Sequence, residues 1–169
     1  MPSRKTRLTV AAAVTTMCAV IPASAREVVS FEERVQPGAI VVKTAERRLY
    51  LALGDGSAIR YPVAVGRPGK QWQGSAQVSA KMVQPAWAPP AVVRADNPTL
   101  PDMIPSDSPR NPLGPRALTL SIGPYAIHGT NRPDSIGTFA SYGCIRMYNE
   151  DIVDLFDRVS VGTQVLVTR

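Results

Sequence analysis

The chain has 169 residues, 44% of them apolar and 19% charged, with 19 basic residues against 13 acids for a net charge of +6. Three of the basic residues, Arg4, Lys5 and Arg7, sit in an N-terminal leader, and the remaining arginines are scattered rather than interleaved with aromatics, which argues against a nucleic-acid surface. Residues 26–169 suffice for one domain with a real core and not for two.

The leader reads as a secretory signal. Leu8 to Ile21 is a mostly apolar stretch of fourteen residues, short of the ~20 that a helix needs to cross a bilayer, and Ala23-Ser24-Ala25 has the small-x-small form of a cleavage site. Cys18 follows Thr-Thr-Met, which is no lipoprotein processing site. The expectation is a cleaved signal over 1–25, no stable membrane insertion, and an exported protein of the periplasm or cell envelope that starts near Arg26. Without the leader the net charge falls to +3, which leaves a weak attraction to an acidic polymer.

Residues 26–36 form a short polar lead-in, and the pattern turns to β from Pro37, where the domain (37–169) begins. Ala39 to Lys43 is a compact apolar run. Leu49, Leu51 and Leu53 alternate with Arg48, Tyr50 and Ala52, Gly54-Asp55-Gly56 supplies a turn, and Ile59, Tyr61, Val63 and Val65 alternate again. That pattern predicts a hairpin. Pro62 has no N–H to give a ladder, so it belongs at an edge or a non-bonded position.

From Pro85 to Pro115 the chain spends nine of its 16 prolines. No long regular element fits there. Because β pattern resumes with Leu118, Leu120 and Ile122, the segment reads as a lid or binding loop rather than a linker. Asn149 is the expected N-cap of one amphipathic helix with Ile152, Val153, Leu155, Phe156 and Val159 on one face, and a last strand follows over Gln164 to Thr168. No internal repeat occurs. The predicted architecture is mainly β, a sandwich or partly open barrel with one short helix.

Once the signal is gone Cys144 has no partner for an intramolecular disulfide, and His128 is the only histidine in the chain. An unpaired thiol in an oxidising compartment invites unwanted oxidation, so it asks for a reason. Taken alone, Cys144 could be a small buried hydrophobe and His128 a hydrogen-bonded core residue. Together they can form a nucleophile: an imidazole that takes the thiol proton leaves a thiolate–imidazolium ion pair able to attack a carbonyl. Glycine beside the cysteine lets backbone N–H groups approach the developing oxyanion. A zinc centre needs three or four ligands, more than one Cys and one His supply, and no metal or cofactor is expected. The helix start at Asn149 is too far from Cys144 to lower its pKa.

His128 followed by Ser141-Tyr142-Gly143-Cys144-Ile145-Arg146 resembles the signature of the L,D-transpeptidase catalytic domain, also called YkuD-like: a histidine, about fifteen residues, then [S/T]HGC. The resemblance extends over VAVGRPGKQWQG (63–74), PAWAPP (85–90), NPLGPRAL (111–118) and VGTQV (161–165). It implies a β-sandwich acting on peptidoglycan stem peptides, with Cys144 as nucleophile and His128 as proton acceptor and donor. It further implies an oxyanion hole from the backbone around Tyr142, Gly143 and Cys144, and substrate contacts from Ser141, Tyr125, Gly129 and Arg146; a surface salt bridge is the alternative for Arg146. D-alanine leaves a tetrapeptide, and the acyl group passes to an amine on a second stem or on an outer-membrane protein. Water as acceptor would make a thiol hydrolase. Tyr142, where the family carries histidine, raises a third reading, a retired wall-binding module, against which the retention of both His128 and Cys144 argues.

Overall fold

The computed structural model describes residues 26–169, so the predicted signal and Cys18 lie outside the described residues. Ten strands, β1 (Glu27–Ser30), β2 (Ile40–Lys43), β3 (Arg48–Ala52), β4 (Ser57–Gly66), β5 (Gly74–Val83), β6 (Arg116–Leu120), β7 (Ala126–His128), β8 (Phe139–Ser141), β9 (Ile145–Met147) and β10 (Gln164–Thr168), accompany helices α1 (Ala91–Asp96) and α2 (Asn149–Arg158). The pairing runs β1-β4-β3-β2-β10-β5-β6-β7-β9, and β9 returns to pair β4. The mainly-β expectation holds.

Two long strands make this closure. The first half of β4 pairs β3 while Val63 and Ala64 pair β9, and β5 likewise pairs β10 over Gly74 to Gln77 and β6 from Val78 on, with a register shift at Val78/Ala80. Each ten-residue strand thus bends out of one sheet into the other, and the two sheets enclose one core. Ile40, Leu49, Tyr61, Val63, Leu118, Ile127, Ile145 and Met147 fill it, all within 1% of complete burial. Pro62 sits at the bend. The N–H of Val63 faces β3, bonding the carbonyl of Arg47, so position 62 faces the opposite flank, between the end of the β1 pairing at Arg60 and the start of the β9 pairing at Val63. A missing donor costs nothing there.

The lead-in enters the sheet. Residues 27–30 pair the start of β4, and Phe31 is buried, stacked on Tyr50 at a centroid distance of 5.0 Å. Together with Val41, Ala52 and Ala58 they make a second small core on the outer face of the hairpin, to which Phe31 contributes about 2 kcal/mol by burial. Arg26 reaches α2, bonding Asp151 at 3.2 Å.

Helix α2 buries Ile152 and Leu155 as the periodicity predicts, but its N-cap is Tyr148, and the Asn149 side chain instead accepts the N–H of Thr130 at 2.8 Å. That bond ties the helix to the loop following His128. At the other end of α2, Lys81 Nζ donates to the carbonyls of Phe156 and Val159, both at 2.6 Å.

The proline-rich segment is ordered and includes a six-residue helix, α1, which starts after Pro90, where a fixed φ suits a helix entry. Trp87 and Ile104 exchange backbone hydrogen bonds at 2.8 Å across the neck of the segment. Buried Asn111 pins its base, donating to the carbonyls of Pro85 and Pro105 and accepting the N–H of Leu113.

Candidate active site

Register decides which side chains share a face. β7 and β9 are parallel neighbours with Ile127 opposite Ile145 and His128 opposite Arg146. Side chains alternate along a strand, so Ile127, Ile145 and Met147 enter the core, while His128, Arg146 and, two positions back, Cys144 face outward together. The proline-rich segment covers this outer face. Between them lies a cleft of about 200 Å³ with Cys144, His128, Arg146, Tyr142 and Ser141 on its floor and Trp87, Val92 and Val93 above. A larger concavity of about 460 Å³, near Arg34 and Gln164, contains neither cysteine nor histidine. Within the cleft Tyr125 lines one wall, whereas Gly129 is buried beside it and is not part of the lining.

His128 is 4% exposed, and its Nδ1 lies 2.7 Å from the carbonyl oxygen of Gly129. A carbonyl only accepts, so Nδ1 carries the hydrogen and Nε2 is left to take a proton. The Gly129 carbonyl thereby favours the Nδ1–H tautomer. Burial, with a smaller contribution from the charge of Arg146, pushes the imidazole pKa down to about 4. The carbonyls of Gly129 and Pro112 work the other way, favouring the ring once it is charged.

Cys144 is a free, half-buried thiol. Burial raises its pKa, opposed by the backbone N–H of Ala126 and by the charge of Arg146. The sulfur lies 3.8 Å from the Pro124 carbonyl oxygen, and no hydrogen bond joins it to the imidazole among the described residues. Both shifts favour the neutral forms, against the thiolate–imidazolium pair that the sequence suggests. Contacts between a thiol and an imidazole so placed tighten when a substrate displaces water.

The turn that carries the sulfur is tightly bonded. Ser141 Oγ accepts the N–H of Gly143 at 3.0 Å and donates to the carbonyl of Cys144. The Gly143 N–H expected in the oxyanion hole is therefore committed to Ser141. The N–H of Cys144 has no protein acceptor among the described residues and remains available. Ser141 is a brace of the turn as well as part of the cleft floor.

Arg146 is half-buried, with its pKa lowered by burial, and no carboxylate pairs with it among the described residues. The surface salt bridge expected as its alternative role does not form. Tyr142 points toward the cover: its hydroxyl donates to Asp96, the last residue of α1, at 2.7 Å, while Arg67 pairs with the same carboxylate and stacks over the Tyr142 ring at 4.0 Å. Those bonds hold Asp96 below the usual carboxylate range. Sequence reasoning did not find Ala126 or Asp96, which nothing local in the chain marks, and it read Asn149 only as a helix cap and Pro112 only as part of a family motif. Among the described residues no group of three or more His, Cys, Asp or Glu side chains could hold a metal.

A proton acceptor, a sulfur and a free backbone donor on the floor of one covered cleft define a class of site, one arranged for acyl transfer. Comparison with known proteins supplies the family. Residues 37–167 match the model of the L,D-transpeptidase catalytic domain, YkuD, and the chain belongs to that family. It is 41% identical over 135 residues to the probable L,D-transpeptidase YbiS of Escherichia coli K12, covering 75% of this chain and 43% of that one. It is 48% identical over 62 residues to the putative L,D-transpeptidase YkuD of Bacillus subtilis, covering 37% and 38%. The chain thus spans less than half the length of these relatives. An Enterococcus faecium L,D-transpeptidase mutant shares the fold, with a TM-score of 0.63 at 18% identity over 79% of this chain and 50% of that one. So does LdtMt1, solved in complex with imipenem, with a TM-score of 0.58 at 18% identity over 77% and 58%.

Proposed function

We propose that the protein is a cell-wall L,D-transpeptidase that uses Cys144 as its nucleophile. The observation that carries this reading is the parallel register that sets His128, Arg146 and Cys144 on one face beneath an ordered cover. Sγ attacks the carbonyl carbon that joins the third residue of a stem tetrapeptide to its terminal D-alanine, and the thiol proton passes to Nε2 of His128. The Cys144 N–H receives the developing oxyanion. As the carbonyl re-forms, the C–N bond breaks and the imidazolium returns the proton to the departing amine of D-alanine, leaving a thioester. An acceptor amine then attacks, loses its proton to His128, and the C–S bond breaks, which restores the thiol. The acceptor is a second stem or an outer-membrane protein.

Neutral His128 suits this cycle. A ring held uncharged can accept a proton throughout the physiological range, and the Gly129 and Pro112 carbonyls steady the transient cation. Arg146, charged and without an anionic partner in a mostly apolar cleft, is the group to which a stem-peptide carboxylate binds. Export to the periplasm follows from the signal over residues 1–25, and no described helix is long and apolar enough to cross a membrane.

The test is intact-protein mass spectrometry with a carbapenem and with a disaccharide-tetrapeptide. The wild-type protein gains a covalent adduct at Cys144 and removes D-alanine, and Cys144→Ala does neither. Dimeric product shows transfer and tripeptide alone shows hydrolysis. Wall fragments bound equally by both proteins, with no substrate change, would replace the enzyme by a binding module.

A further inference from the structure

We propose that Trp72 is a positioning residue for acyl transfer: its indole N–H fixes the Gly143–Cys144 peptide so that the Cys144 N–H faces the cleft. The inference rests on the acyl-transfer reading above. Trp72 lies in the loop between β4 and β5, 71 positions from Gly143 in sequence, and its Nε1 donates to the Gly143 carbonyl oxygen at 3.0 Å. Its ring stacks on Tyr125 with centroids 5.2 Å apart and planes 8° from parallel. Neither Trp72 nor Gly143 lines the cleft, whereas Tyr142 and Cys144 do, so the indole stands behind the turn.

The peptide bond is trans, and its C=O and N–H point in opposite directions. With the Gly143 carbonyl drawn back to Trp72, the Cys144 N–H points forward, on the side where substrate sits. Among the described residues it has no protein acceptor there. The alternative, a peptide rotated by half a turn, would hide that donor and show the cleft a carbonyl, which repels an oxyanion. Glycine permits such rotation more readily than other residues, and Gly143 sits at φ +118°, where only glycine is comfortable. Something must select one orientation. An indole N–H is a donor with no lone pair, so it can meet the carbonyl and cannot meet the N–H of the rotated peptide. The packing agrees, since a Cβ on Gly143 would fall 2.5 Å from Tyr125 Cε1, the ring against which Trp72 is stacked.

The experiment separates this from a merely structural role by using two reactions of the same sulfur. Acylation by a carbapenem builds an oxyanion; alkylation by iodoacetamide displaces iodide from a saturated carbon and builds none. Trp72→Phe keeps an aromatic ring against Tyr125 and removes the N–H. Loss of a whole oxyanion donor costs about 10²–10³ in rate, and a donor that is misdirected part of the time costs less, so acylation falls about 10- to 100-fold. The pH profile of alkylation stays within about twofold of wild type, because neither the thiol nor His128 has moved. Unchanged acylation, or an equal fall in both reactions, overturns the proposal. If Trp72→Phe does not fold, 3-benzothienylalanine at position 72, a tryptophan isostere with sulfur in place of N–H, gives the same two readouts. A wild-type protein that is alkylated but never acylated overturns the acyl-transfer reading and this inference with it, whereas equal acylation of wild type and variant overturns the role of Trp72 alone.

Discussion

The burial of His128 ties stability to pH in a direction that can be measured. Its pKa lies at about 4 in the folded protein, and the same ring titrates near 6.5 when solvated. Between those values the unfolded chain binds a proton that the folded chain refuses, so stability is lost as pH falls through 6.5 and the full penalty is reached below 4. Relative to pH 7, the cost at about pH 4.5 is ~2.4 kcal/mol from this one residue. Urea unfolding of the wild type and of His128→Gln at both pH values isolates it. The variant carries a constant offset from its altered hydrogen bonds and lacks the titration, so wild type loses ~2 kcal/mol more than the variant on acidification. Asp151, whose carboxyl is pushed up by burial, varies with pH in the opposite sense and is common to both proteins. Equal losses in the two proteins would refute the reasoning. The same burial places the acid limb of kcat/KM near pH 4, and a limb near 6.5 would mean that the ring is solvated in the working enzyme.

Three further outcomes are expected. Lys81→Met removes the donor shared by the carbonyls of Phe156 and Val159 together with the ammonium over the Phe156 ring, and destabilises the protein by about 2 kcal/mol in a thermal or urea melt. Tyr142→Phe breaks the bond between the catalytic turn and Asp96 on the cover without altering charge; labelling of Cys144 by a bulky maleimide accelerates several-fold while labelling by iodoacetamide changes little, and equal acceleration of both would show that Tyr142 acts on the thiol rather than on the cover. Arg146→Met raises KM for a tetrapeptide with free carboxylates about tenfold or more and has little effect on the same peptide with its carboxylates amidated; an equal effect on both peptides removes Arg146 from carboxylate recognition.

Local pattern by itself determined much of this protein. The alternation on either side of Gly54-Asp55-Gly56, the apolar stripe from Ile152 to Val159 and the run of prolines after residue 85 specify a hairpin, a helix and an irregular cover, because each depends on neighbours a few residues away. The pairing of His128 with Ser141-Tyr142-Gly143-Cys144 named the family for the same reason. Other features needed the tertiary structure. Phe31 and β1 lie in a stretch that reads as a polar lead-in until it folds back on β4, and Asn149 looks like a helix cap until the loop after His128 arrives to take its side chain. Tyr142 could have packed anywhere, and only the closed cover shows it bonded to Asp96. The charge state of the site was the least legible feature, since residue type sets an ordinary pKa and burial moves it, and the burial of His128 and Cys144 comes from strands and a proline-rich segment that are remote in sequence.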